Sequence, residues 1–371
     1  MRIGYDAKRL FFNRSGLGNY SRGTLELLAR HCPENSYVLF SPKQGGGCGF
    51  RMTGNMSRVE PQGLMRSVPS LWRSYFMSGD IRRQNLDIFH GLSAELPADV
   101  ARAGVRSVVT VHDLIFVRYP ELYKPFDRAI YTKKYRRSCL DADRIIAISE
   151  QTRRDLVELW NIPDEKIEVI YQGCSPIFAR RASDAEQRRV REKYSLPERF
   201  IVGVGTIEQR KNLMLSLRAM AVGRTDVDLV AVGRPTEYLD ELLRFAAANG
   251  LSERFHTVTN CDFEDLPAIY QTSLASVYTS RFEGFGIPIL EALNSGVPVI
   301  TTSGGVFAET GGAAAFYVGP DDELRMAEAI ETAVGDEVAR RRAVEAGYEH
   351  AARFAGEKIA ANLQRFYSSM L

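Results

Sequence analysis

Short apolar runs alternate with segments of helical spacing along most of this chain, and that alternation constrains the fold more than any other feature. Such runs are too short for helices and, bounded by turn residues, read as buried strands. In the first half they are Ile3–Tyr5, Tyr37–Phe40, Ile88–His90, Ser107–Val111, Arg144–Ile148 and Ile167–Tyr171. In the second half they are Phe200–Val204, Leu229–Val232, Phe255–Thr257, Ala275–Tyr278, Val297–Ile300 and Ala315–Val318. Strand and helix in alternation build a parallel sheet covered by helices on both faces. Two similar sets in 371 residues, a length too great for one ordinary core, predict an α/β protein of two Rossmann-like domains. The junction is expected near Ser175–Leu196, which carries Pro176, the charged helix-like run Asp184–Lys193 and, just beyond, Pro197. This gives domains of 1–180 and 196–355.

Composition narrows the partners. No apolar run approaches the roughly 20 residues needed to cross a bilayer, and Met1–Asp6 reads as a first strand and not as a signal peptide. The five cysteines are scattered without zinc or redox spacing, which predicts reduced thiols and a cytoplasmic protein. Charge is uneven. Up to Ala179 there are 26 basic and 19 acidic side chains, a net +7, which leaves −5 for the rest of a chain whose total is +2. A basic first half suggests an anionic partner. Nucleic acid is disfavoured, because no basic and aromatic stripe lies along a strand. A membrane surface or a diphosphate-linked acceptor fits better.

The segment Ser280-Arg281-Phe282-Glu283-Gly284-Phe285-Gly286-Ile287-Pro288-Ile289-Leu290-Glu291-Ala292 holds the densest chemistry. Glu283 sits in a glycine-rich turn, and Glu291 is expected in the first turn of a helix starting near Pro288. Backbone N–H groups at a helix start favour phosphate, and carboxylates accept hydrogen bonds from hydroxyls. Phosphate and hydroxyl recognition side by side suggests a sugar nucleotide. The bland reading is a capped helix with one surface acid and one capping acid.

This arrangement resembles the Glu-x7-Glu motif of retaining glycosyltransferases of the two-domain GT-B fold, family 4 in particular, and the resemblance extends over essentially the whole chain. It implies two domains facing across a cleft, with the last helix, 356–371, crossing back to the first. It further implies that Glu283 orients the donor sugar and Glu291 binds the ribose, with Phe285, Gly286 and Ile287 beside the donor. His112-Asp113, after the strand Ser107–Val111, resembles the family's Val-His-Asp stretch, whose histidine approaches the donor sugar. Gly205-Thr206-Ile207-Glu208-Gln209-Arg210-Lys211-Asn212 resembles the loop whose Arg-Lys pair grips the donor diphosphate. Thr206 stands where many members have arginine, so the cationic role falls on Arg210 and Lys211. The loop with Gly16 and Gly18 is expected to face the cleft before a helix Gly23–Arg30; it is no complete dinucleotide fingerprint. The implied catalytic set is His112, Arg210, Lys211 and Glu283. The implied donor-binding set is Gly16, Gly205, Phe285, Gly286, Ile287 and Glu291.

Weaker candidates are Gly233-Arg234-Pro235, Asn260–Phe263, Ser303–Gly305 and Glu309, each read first as structural, and His90, which follows a strand of the first domain and is placed to meet the acceptor. Asp141-Ala142-Asp143 and Asp226-Val227-Asp228 match the D-x-D metal pattern, but each precedes a strand, at the sheet edge opposite the expected cleft. No metal and no cofactor are expected. Arg66, Trp72, Arg73, Tyr75, Phe76, Arg82 and Arg83 are weighed equally as a packed helix or a membrane-interface segment. The resemblance implies a metal-independent transferase of bacterial cell-surface polysaccharide, including lipopolysaccharide. It would move a hexose from GDP-mannose foremost, or a UDP-hexose, to a glycan or lipid-diphosphate-linked acceptor at the inner face of the membrane. Other readings are a GT-B enzyme that hydrolyses or epimerises its sugar nucleotide, and a non-catalytic binding module.

Overall fold

The computed structural model describes residues 1–223 and 225–371. The chain divides into two compact units. The first comprises Met1–Gln172 with Ala355–Leu371, and the second Gly173–Phe354. The helix Asp184–Tyr194, in the junction segment, therefore lies with the second unit. It starts at a reciprocal cap between Ser183 and Glu186. Arg189, Lys193 and Tyr194 tie it down by bonds of 2.6, 2.7 and 2.9 Å to Asp265.

The first unit contains a sheet of β1 (Arg2–Asp6), β2 (Ser36–Phe40), β3 (Met56–Val59), β4 (Ile88–Gly91), β5 (Arg106–Val111), β6 (Arg144–Ala147) and β7 (Ile167–Val169), in the order β3-β2-β1-β4-β5-β6-β7. Every pairing is parallel. Central strands are buried on both faces, which is why they read as unbroken apolar runs. β3 carries no such run. It is a half-buried edge strand with Ser57 and Arg58 at its middle, and apolar patterning does not reveal it. The helix Gly356–Ser368 completes this unit, with Ile359, Leu363, Phe366 and Tyr367 buried in its core. Tyr367 is bonded through its hydroxyl to Tyr5 at 3.2 Å and to His90 Nδ1 at 2.8 Å.

The second unit contains β8 (Phe200–Val204), β9 (Asp228–Val232), β10 (Phe255–Val258), β11 (Ala275–Tyr278), β12 (Val299–Thr302) and β13 (Ala315–Val318), in the order β10-β9-β8-β11-β12-β13 and again parallel. β12 begins two residues later than its apolar run suggests. The helix Ile287–Asn294 ends through left-handed Gly296 (φ 73°), and Val297 N–H closes that end on Ala292 O at 3.0 Å.

In both sheets the strand order reverses direction at one point, between β1 and β4 and between β8 and β11. Neighbouring crossovers leave to opposite faces there, which opens a crevice at the carboxyl ends of the strands.

Candidate active site

The crevice of the second unit is built by the loops after β8 and β11. Gly203, Gly205, Thr206, Lys211, Tyr278 and Thr279 line a pocket there. Gly205 has φ 142°, and its carbonyl lies where a Cβ on Gly233 would come within 1.8 Å, so the loops after β8 and β9 close only without side chains at these points. Gly233 is thus explained by packing. The two main loops are stitched together: Thr279 Oγ1 donates to Lys211 O and Asn212 O at 3.1 and 3.0 Å, and Arg281 N–H donates to Arg210 O at 2.9 Å.

These contacts bring Arg210, Lys211 and Glu283 into one cluster. Lys211 Nζ and Arg210 Nη1 each lie 2.6 Å from Glu283 Oε1, and Ser280 Oγ donates to the same oxygen at 2.7 Å. Burial alone would raise the Glu283 pKa, but Lys211 and Arg210 hold it down to about 2. Burial would likewise depress Lys211, and Glu283 keeps it above its ordinary value. Lys211 also donates to Tyr278 Oη at 2.8 Å, while Arg210 donates to Phe282 O at 2.8 Å and Glu208 at 2.6 Å. The cations are therefore not bare phosphate grips. They are fixed on a carboxylate, and each keeps donor capacity, since an ammonium has three N–H groups and a guanidinium five.

Glu291 has the opposite environment. It is buried (8% exposed), and Tyr270 Oη donates to its Oε2 at 3.1 Å. Burial lifts its pKa to about 7 against the lowering effect of that bond. The helix begins at Ile287, so Glu291 lies beyond its first turn and not within it. Gly286, the residue before the helix, has φ 97° and holds the left-handed entry. The Phe285 ring is buried (3% exposed) and packs edge-on against Phe354, 5.8 Å away. Ile287 is half-buried.

In the first unit, His112 follows β5. Its Nε2 is 2.9 Å from Leu92 O, and the Tyr20 ring meets the imidazole edge-on at 4.5 Å. Burial pushes its pKa down to about 4, so it is neutral at pH 7, with Nε2–H donating to Leu92 and Nδ1 left as an acceptor. The glycine loop differs from expectation. Gly16 is the first residue of a helix that runs from Gly16 to His31, so the segment is helix start and not open loop. Gly16 has nothing within 4 Å of a built Cβ. Gly18 packs on the Asn13 carbonyl, which a Cβ would meet at 1.9 Å, so its role is structural. His90 is fully buried, with its ring nitrogens 2.8 Å from Tyr367 Oη and 2.7 Å from Thr110 Oγ1. It joins the C-terminal helix to the sheet and is shut away from any acceptor.

A family model described as Glycosyltransferase Family 4 matches residues 16–176, and one described as Glycosyl transferases group 1 matches residues 184–350. The O-antigen chain mannosyltransferase B of Escherichia coli is 31% identical over 277 residues, covering 73% of this chain and 71% of that protein. The chain belongs to glycosyltransferase family 4. The O-antigen chain mannosyltransferase RfbU of Salmonella typhimurium is 28% identical over 223 residues, 60% of this chain and 59% of that protein. The crystal structure of HepE from Anabaena, in complex with UDP and glucose, matches with a TM-score of 0.76 at 19% identity over 100% of both chains, and the fold is GT-B.

The remaining candidates of this glycosyltransferase sort by their contacts. Asp143 Oδ2 accepts from Ser107 N and Oγ at 2.7 and 2.8 Å, Asp228 pairs with His256 at 2.8 Å, and no metal-binding group of three or more His, Cys, Asp or Glu occurs among the described residues. Asp262 pairs with Lys193 at 2.5 Å. His350 Nε2 bonds the Glu309 carbonyl at 3.0 Å. The segment Arg66–Arg83 is split: Trp72 and Arg73 are buried, and Trp72 Nε1 donates to Asp80 at 2.7 Å, whereas Tyr75 and Phe76 are exposed. Site residues to which the sequence reading gives no role are Tyr270, Tyr278, Ser280 and Tyr20. Ser280 and Tyr278 sit at the end of β11 just before Glu283. Tyr270 and Tyr20 carry no local signal and meet their partners only in the fold.

Proposed function

We propose that this glycosyltransferase moves a hexose, mannose foremost, from a nucleotide-diphosphate sugar to a hydroxyl of a glycan or lipid-linked acceptor, with retention of configuration, in the building of a cell-surface polysaccharide. The observation that carries this reading is the cluster of Arg210, Lys211 and Glu283 at the crevice of the second unit. The names of its relatives, both O-antigen mannosyltransferases, support the sugar and the product class. GDP-mannose is the leading donor and a UDP-hexose the next.

In this reading the bond between the anomeric carbon and the diphosphate breaks while the acceptor oxygen attacks from the same face. The acceptor proton passes to the departing diphosphate. Negative charge grows on that leaving group, and the donor capacity left on Lys211 and Arg210 stabilises it more in the transition state than before. Glu283 stays ionised and accepts hydrogen bonds from the sugar. Glu291 accepts from the ribose hydroxyls. His112 offers Nδ1 to a sugar hydroxyl. Glu283 and Glu291 are donor-binding groups, not the acid and nucleophile of a glycosidase.

Incubation of the purified protein with a panel of nucleotide sugars and acceptor glycans, with and without EDTA, tests this. Turnover with GDP-mannose that survives EDTA is expected. Nucleotide binding without turnover on any acceptor overturns the transferase reading, and loss with EDTA overturns metal independence.

The protein works at the inner membrane face in this reading. No helix among the described residues is long and apolar enough to cross a membrane. The first unit, however, exposes Leu64 (87%) and Phe126 (75%), the latter on a helix, Pro125–Asp141, that also carries Arg128, Lys133, Lys134, Arg136 and Arg137. Vesicles with anionic lipid are expected to sediment the protein, and L64E/F126E to weaken this about tenfold. Equal sedimentation of variant and wild type removes these residues from any membrane contact.

A further inference from the structure

The crevice of the first unit, between β1 and β4, has a charge imbalance that the donor-site residues do not account for. Lys8 and Arg9 follow β1 directly. Buried Arg73 pairs with Asp6 and Glu95, both at 2.6 Å, and Lys134 lies 2.5 Å from Glu95. Those contacts occupy both acids. Arg9 reaches an acid only obliquely, 3.9 Å from Glu95, and its Nε is buried without a hydrogen-bond partner. The Lys8 ammonium is half-buried and has no ion pair among the described residues, while Lys8 N–H is held by Asp6 Oδ1 at 3.1 Å. Four cations thus face three acids, Asp6, Glu95 and Asp113. Asp113, the other acid at this sheet edge, accepts from Ile115 N–H at 3.1 Å. Burial first, and then the neighbouring Arg73, lower the Lys8 pKa, as befits a cation short of a counter-charge.

We propose that Lys8 and Arg9 form an anion subsite of the first unit, beside His112, that takes a phosphate or diphosphate group carried by the acceptor. Half-buried cations gain most from an anion that brings several acceptor oxygens at once, and the guanidinium fork suits a phosphate better than a point charge does. The assignment to the acceptor rests on the transfer reaction above, whereas the anion site itself does not.

Calorimetry on the full chain separates the two. Arg210→Ala with Lys211→Ala first removes the second-unit cations. Inorganic pyrophosphate is expected to bind this variant still, more tightly than acetate does, and to lose about tenfold or more in affinity when Lys8→Gln and Arg9→Gln are added. Lys8→Arg, which keeps the charge and guards against misfolding as an explanation, is expected to retain binding. Pyrophosphate affinity that is unchanged by Lys8→Gln and Arg9→Gln, or matched by acetate, overturns the subsite. In the otherwise wild-type chain, the same pair is expected to raise the acceptor KM about tenfold and leave the donor KM alone. A rise confined to the donor KM overturns the acceptor assignment while leaving the anion site standing.

Discussion

Replacing Lys211 with alanine is expected to lower kcat by about 10²- to 10³-fold while changing nucleotide affinity only a few-fold, the size of effect seen when one preorganised charge-stabilising donor is removed. The ammonium is fixed before any substrate arrives, at 2.6 Å from Glu283 and 2.8 Å from Tyr278 Oη. Its loss leaves Glu283 held by Arg210 and the Ser280 hydroxyl, so the sugar-facing carboxylate is also less firmly placed. Steady-state kinetics together with nucleotide titration check the split. Weakened nucleotide binding with intact turnover would reverse the roles assigned to Lys211 and Glu291.

Replacing Glu291 produces a different signature, and its pH dependence is the sharper test. The carboxyl is buried and accepts a hydrogen bond from Tyr270 Oη, and burial raises its pKa to about 7. Ribose hydroxyls donate to the ionised form, so nucleotide affinity should rise as pH increases through about 7 and then level off. Glu291→Ala is expected to cost about ten- to a hundredfold in nucleotide affinity and to flatten that profile. Stability moves the other way. This acid has a folded pKa above its unfolded value near 4.5, so the folded state binds the extra proton between the two. Stability therefore falls as pH rises from about 4.5 to 7, by about 3 kcal/mol in total. Glu291→Gln, which keeps an oxygen for Tyr270, should unfold later than wild type at pH 8 and together with it at pH 4. A wild-type affinity profile flat from pH 6 to 8 would remove Glu291 from ribose binding.

The fold was legible because parallel strands buried on both faces must be apolar throughout. Among the described residues, twelve of the thirteen strands coincide with runs picked out in the sequence, and β3 is hidden because an edge strand with Ser57 and Arg58 at its middle need not be apolar. The motif residues after β8 and β11 could be placed near one another by the rule that loops at strand carboxyl ends meet where the strand order reverses. Contacts between residues far apart in sequence were not legible. Tyr270 lies 21 positions from Glu291, and Tyr20 lies on the helix Gly16–His31, far in sequence from His112 in the loop after β5. The helix begins at Gly16 and not at Gly23 as expected, because a helix tolerates glycine in its first turn although glycine is a poor helix former elsewhere.

By itself the sequence determined the two parallel α/β units and the residue types at their strand ends, because burial periodicity and turn chemistry are local. Only the tertiary structure decided the state of each site group. Glu283 and Glu291 are eight residues apart and chemically identical, yet one is held ionised by two cations and the other is pushed toward neutrality by burial. Lys8 and Arg73 are both cations on the first unit, yet among the described residues one has no ion pair and the other has two. Charge state follows from desolvation and from neighbours brought together across the chain, and neither is a property of a short stretch of sequence.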